Sequence, residues 1–117
     1  MFTGQPEDRD LAYVWDMRDF ARRVQTMVAQ ATFDDFGPDS TLRLAVERAI
    51  ELIGEAAGRV SLPFREQNPQ IPWRSIVGQR NILAHKYGDI DARLLWQTAT
   101  VDVPRLVALL DQLLPDP

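Results

Sequence analysis

Glu7 to Thr32 reads EDRDLAYVWDMRDFARRVQTMVAQAT, and its apolar residues set the fold class. Val14, Met17, Ala21, Val24, Val28 and Ala31 recur in steps of three and four, the period that lines up side chains as one stripe of a helix. Arg18, Arg22, Arg23 and Gln25 fall largely outside that stripe. No stretch alternates apolar and polar residues as a half-buried strand does, whereas helical spacing recurs along most of the chain. The expected fold is therefore all-α.

Beyond this helix, Phe33 to Pro38 breaks the period, and Asp39 or Ser40 can cap a second helix running to about Val60. Its buried stripe is expected to be Leu42, Val46, Ala49, Ile53, Ala56 or Ala57, and Val60. Gly54 and Gly58, one turn apart, predict close approach of another backbone, since a phosphate loop would need a GxxxxGK[ST] pattern after a strand. Ser61 to Ile71, with Pro63, Asn68 and Pro69, reads as a surface connection before Pro72 opens a third helix. That helix, apolar at Trp73, Ile76, Val77 and Leu83, should stop between Ala84 and Gly88, and Asp89 or Asp91 can cap the next one. The last segment, Ala92 to Leu114, places Leu94, Leu95, Val101, Leu106, Leu109, Leu110 and Leu113 at helical spacing. Pro104, with Asp102 as a cap, predicts a kink or short break between Thr100 and Val103.

Composition narrows the function. The 117 residues, with no internal repeat, suit one domain spanning 1–117. The absence of cysteine excludes disulfides and thiolate zinc sites, and the single histidine, His85, excludes a site drawing several imidazoles from one chain. No apolar run reaches the roughly 18 residues of a membrane span, and the acidic start MFTGQPEDRDL is unlike a signal peptide, so a cytoplasmic protein is expected. A net charge of −4 argues against indiscriminate nucleic-acid binding but leaves room for a local basic cleft.

The reactive side chains concentrate in Arg80-Asn81-Ile82-Leu83-Ala84-His85-Lys86-Tyr87, which holds the only His and the only Lys of the chain. On a continuous helix Arg80 and Tyr87 lie about 20° apart and Asn81 about 40° from His85, which makes two faces. A common cleft requires the helix to unwind near His85, which Gly88 permits. The ordinary alternatives are a solvated Arg80, a His85 that caps the helix C-terminus, and a Tyr87 that fills space beneath the next helix. Elsewhere, Asp34 and Asp35 read as solvated turn charges without a third ligand for magnesium. Glu47, Glu51 and Glu55 descend the second helix one turn apart, and Glu55 faces either solvent or the cleft. Trp73 and Trp96 read as core or interface anchors.

The pattern R-x-x-x-x-H-x-Y, filled by Arg80, His85 and Tyr87 with Asn81 after the arginine, resembles the signature of HEPN-domain ribonucleases. Gly54-Glu55-Ala56-Ala57, Ile71-Pro72-Trp73, Gly78 to Tyr87, Asp89-Ile90-Asp91, Leu95-Trp96 and Asp102 to Leu106 are similar to one branch, the HepT toxins. The resemblance extends from about Asp10 to Leu114. It implies an antiparallel HEPN bundle of four to five helices, a homodimer whose motifs face each other, and endonucleolytic RNA cleavage without a metal ion or other cofactor. It also implies a type VII toxin–antitoxin pair with a minimal nucleotidyltransferase antitoxin that adds AMP to Tyr87.

The chemistry of the residues suits that expectation. Two chains about a two-fold axis would bring two His85 imidazoles to one cleft, a base for the 2′-hydroxyl and an acid for the leaving 5′-oxygen. Arg80 is the natural clamp on the phosphate, Asn81 can orient His85 or a phosphate oxygen, and Tyr87 can position RNA, with tRNA and mRNA both open as targets. Glu55 would support Arg80. Two other classes stay open: a non-catalytic helical interaction module, and a nucleotide-binding accessory subunit of a nucleotidyltransferase.

Overall fold

The computed structural model describes residues 6–78 and 92–115, and among these every regular element is helical. In chain order they are α1 (Pro6–Val28), a 3₁₀ turn (Phe33–Asp35), α2 (Thr41–Arg59), α3 (Leu62–Gln67), a helix α4 that starts at 73 and is described as far as 78, α5 (Ala92–Gln97), a π-helical turn (Thr98–Asp102) and α6 (Val103–Leu113). The all-α expectation holds. The predicted end of α4 lies outside the described residues.

α1 carries its stripe as the periodicity requires. Val14, Met17, Ala21 and Val24 are fully buried, while Val28 ends the helix and only packs on the edge of the core. The helix thus ends four residues earlier than predicted, closing in a turn in which the Ala31 amide donates to the Val28 carbonyl at 3.1 Å. It lies against α2 and α6. At its start the buried Asp10 carboxylate accepts from the Ser61 amide and hydroxyl, both at 2.7 Å, so the beginning of α1 meets the end of α2 and the two run antiparallel.

Ser40 caps α2, its hydroxyl accepting from the Arg43 amide at 3.1 Å. Val46, Ala49, Ile53, Ala56, Ala57 and Val60 are buried as expected, each large aliphatic among them contributing roughly 1.5–3 kcal/mol by leaving water. Gly54 is buried, but Gly58 is exposed and a β-carbon there would meet nothing within 4 Å. The expected close approach at Gly58 is therefore absent, and Gly58 serves instead as one of three carbonyls, with Ala57 and Val60, that bind the Arg65 guanidinium.

Three further expectations are corrected. The connection from Ser61 to Ile71 contains the short helix α3, because Ser61 caps it and Pro63 suits its first turn. Arg18 is 1% exposed rather than outside the buried stripe, its charge met by Asp111 on α6 and by the Trp15 ring 4.1 Å from the guanidinium carbon. Pro104 does interrupt the α-helix, between Gln97 and Val103, but through a π turn and not through a break capped by Asp102. Having no amide hydrogen, it cannot serve the Thr100 carbonyl, and the chain slips by one residue so that the Val103 amide donates to the Thr98 carbonyl. Asp102 keeps helical torsions and makes no side-chain cap. Within this last segment Leu95, Leu106 and Leu110 are buried, but Leu94 and Val101 face outward.

Candidate functional site

Arg80, Asn81, His85, Lys86 and Tyr87 fall in residues 79–91, outside the described residues, as do Gly88, Asp89 and Asp91. The structure describes how the two ends of that segment are anchored. On the incoming side the Pro72 carbonyl accepts the first helical bond of α4 from Ile76 at 3.1 Å, and Trp73 and Ile76 are both buried. The Trp73 indole donates to the Asn68 carbonyl at 3.0 Å and meets Phe64 edge to face, which fixes α4 against α3. On the outgoing side Leu95 enters the core, and Trp96 packs edge to face on Phe33 and Phe36, at 6.4 and 5.0 Å between ring centres. Arg93 lies over Phe33 at 5.2 Å. Both tryptophans are thus packing anchors, as read from their spacing.

Among the other sequence candidates, Glu55 is half-buried on α2 and forms no ion pair with a described residue. Its two helical neighbours are engaged: Glu47 accepts from Arg43 at 3.1 Å and Glu51 from Arg48 at 3.3 Å. Asp34 and Asp35 form the exposed 3₁₀ turn, where an Asp35 oxygen accepts from the Thr32 amide at 2.8 Å. That role accounts for the carboxylate, and among the described residues no group of three or more acidic or imidazole side chains is placed to hold a metal ion. Burial pushes the Asp16 carboxyl above its ordinary value, helped by Asp19 and opposed by Arg59.

A cavity of about 350 Å³ opens between α2, the start of α4, the π turn and α6. Ile50, Ile53, Ile76, Val103, Leu106 and Leu109 make its apolar wall, while Gln70, Ser75, Thr98, Asp102 and Arg105 supply polar groups. The one signal in sequence is the Asp102-Val103-Pro104-Arg105 run, whose pattern by itself points only to a helix break. Pro104 instead induces the π turn that brings Thr98 and Asp102 onto the cavity, an irregularity often found at functional sites. No helix among the described residues is long and apolar enough to cross a membrane.

Known proteins bear on these observations. A family model described as HepT-like, ribonuclease HepT-like, matches residues 17–113, a span that includes every position of the R-x-x-x-x-H-x-Y pattern. The chain is 40% identical over 95 residues to a Methanocaldococcus jannaschii protein named as a candidate RNase, covering 81% of this chain and 87% of that one. It is 34% identical over 101 residues to the probable ribonuclease HepT of Thermococcus cleftensis, covering 86% and 92%. A Caldanaerobacter subterraneus protein, also named as a candidate RNase, is 37% identical over 75 residues, 64% and 67% of the two chains. No solved structure matches significantly. With the helical fold described above and a family match over most of its length, the chain belongs to the HepT-like ribonuclease family.

Proposed function

We propose that this protein is a metal-independent endoribonuclease, the toxin of a type VII toxin–antitoxin pair, acting as a homodimer. The observation that carries the reading is that Arg80, Asn81, His85 and Tyr87 stand in the motif spacing inside the family match. The single imidazole per chain supports a composite cleft. One His85 takes the 2′-hydroxyl proton as that oxygen attacks phosphorus. The partner's His85, protonated, gives its proton to the departing 5′-oxygen as the P–O5′ bond breaks. The products are a 2′,3′-cyclic phosphate and a 5′-hydroxyl. Arg80, permanently charged, clamps the non-bridging oxygens as negative charge develops on them. Asn81 orients the imidazole or the phosphate, Tyr87 positions the RNA, and Glu55 supports Arg80 from α2.

Control operates through the same cleft. The partner is a minimal nucleotidyltransferase antitoxin. The Tyr87 phenol oxygen attacks the α-phosphorus of ATP on that enzyme, pyrophosphate leaves, and the new phosphodiester brings one negative charge and an adenosine into the RNA site. Product analysis tests the chemistry: RNA incubated with the purified protein in EDTA should yield cyclic-phosphate ends. Cleavage that stops in EDTA and returns with magnesium would replace this mechanism with a metal-dependent one.

A further inference from the structure

Thr98 is one of three buried polar residues among those described, 6% exposed, and the other two have partners: Asp10 in Ser61, Arg18 in Asp111. The Thr100 hydroxyl, one half-turn on, donates back to the Trp96 carbonyl at 2.7 Å. Thr98 has no such bond with any described residue and lines the cavity. Among the described residues Arg18 Nη2 is the one buried side-chain polar atom without a partner, so the Thr98 hydroxyl is open to the cavity and free to bond a molecule that enters it. Around it Asp102 and Arg105 are exposed, unpaired among the described residues, and separated by one turn of helix. The volume, about 350 Å³, is at the low end of small-ligand sites, which run from roughly 300 to 1,000 Å³.

We propose that this cavity is a nucleobase subsite that receives an unstacked guanine of the RNA, next to the position that is cleaved. The inference rests on the ribonuclease reading above and gives that reading a sequence preference. Ser75 lines the cavity and Arg80 follows it by five residues, a length of chain that spans at most about 18 Å. A base bound here therefore belongs to a nucleotide near the scissile phosphate. Protein readers of single-stranded RNA take splayed bases by covering a face and pairing the Watson–Crick edge. Ile53, Ile76 and Leu106 supply an apolar surface for the face. For the edge, Asp102 offers two acceptor oxygens and no donor. Guanine alone among the four bases presents two adjacent N–H donors there, N1–H and the N2 amino group, and so alone satisfies both oxygens. Its O6 is left to accept from the Ser75 hydroxyl or the Gln70 amide, and the Arg105 fork suits the adjoining phosphate. A second copy of the chain is the lesser candidate, because it would cover two unpaired charges that interface centres generally lack.

Two readouts on the whole protein test the subsite apart from catalysis. In NMR titrations GMP should perturb Thr98 and Ile76 where AMP, CMP and UMP do not, and Asp102→Asn, Thr98→Val and Ser75→Phe should each weaken that binding. In cleavage maps of RNAs differing at one base, the wild-type protein should favour guanine at a fixed offset from the cut. Asp102→Asn should reduce that preference by roughly tenfold, the scale of one lost bidentate base contact. Cleavage without a guanine preference, together with no selective GMP binding, overturns the subsite while leaving the ribonuclease reading intact. Intact RNA alongside selective GMP binding supports the pocket and overturns the ribonuclease reading. Dissociation of a dimer by Ser75→Phe with GMP binding unchanged assigns the cavity to a second copy and overturns the proposal.

Discussion

Arg18 on α1 and Asp111 on α6 are 93 residues apart in sequence and 3.3 Å apart in space, the arginine buried and the aspartate at the surface. Asp111 also accepts from Arg22 at 2.7 Å, so one carboxylate ties two turns of α1 to the last helix. The Nη2 of Arg18 is buried and has no hydrogen-bond partner among the described residues.

From this geometry Arg18 acts more by filling volume against Trp15 and the core than by its charge. Arg18→Met, which keeps an unbranched apolar stem and removes the unpaired nitrogen, should change stability by no more than about 1 kcal/mol. Arg18→Ala leaves a cavity and should cost roughly 2 kcal/mol or more. Urea unfolding of both variants checks the difference; equal losses would show that the charge pair dominates.

Asp10 should be less replaceable. Its carboxylate satisfies the Ser61 amide where α2 gives way to α3, and Asp10→Ala would strand that donor in a partly buried site. A loss of about 2 kcal/mol in chemical unfolding is expected. Asp10→Asn, keeping one acceptor oxygen, should lose less.

Asp16 gives a pH dependence of defined sign. Its raised carboxyl pKa means that the folded chain holds this proton more tightly than the unfolded chain. Its contribution to stability is then most favourable at pH below the ordinary value of 3.8 and declines as pH rises through the raised folded value. Asp16→Asn should therefore melt slightly higher than wild type at pH 7, with the difference gone at pH 3. A mutant that melts lower at pH 7 would show that attraction to Arg59 outweighs burial and Asp19.

Regulation through Tyr87 predicts that co-expression with the nucleotidyltransferase partner adds AMP masses to the wild-type chain and none to Tyr87→Phe. If Tyr87→Phe still cleaves RNA, it should escape neutralisation. Adducts on Tyr13, or normal neutralisation of an active Tyr87→Phe protein, would instead favour occlusion by bound antitoxin.

The long helices are legible in sequence because their apolar periods persist over several turns, as from Val14 to Val24 and from Val46 to Val60. α3 is not, since six residues show little period and Pro63 looks like a loop signal. The π turn escapes a sequence reading because a missing amide at Pro104 can be accommodated by a cap or by a register slip, and contacts across the fold select the second. Arg18 escapes it because charge suggests solvent, whereas its partners are Trp15 nearby and Asp111 far along the chain. At the site, the motif is legible because its chemistry is concentrated between Arg80 and Tyr87. The cavity is not, because its wall is assembled from residues between Ile50 and Leu109.

Single-turnover cleavage in EDTA by wild type, Arg80→Ala and His85→Ala decides whether Arg80 and His85 cut RNA without a metal. Wild type should cut, and each variant, with unchanged helical circular dichroism, should be slower by about a hundredfold or more. Wild-type rates in both variants would contradict that chemistry and remove the motif from the reaction.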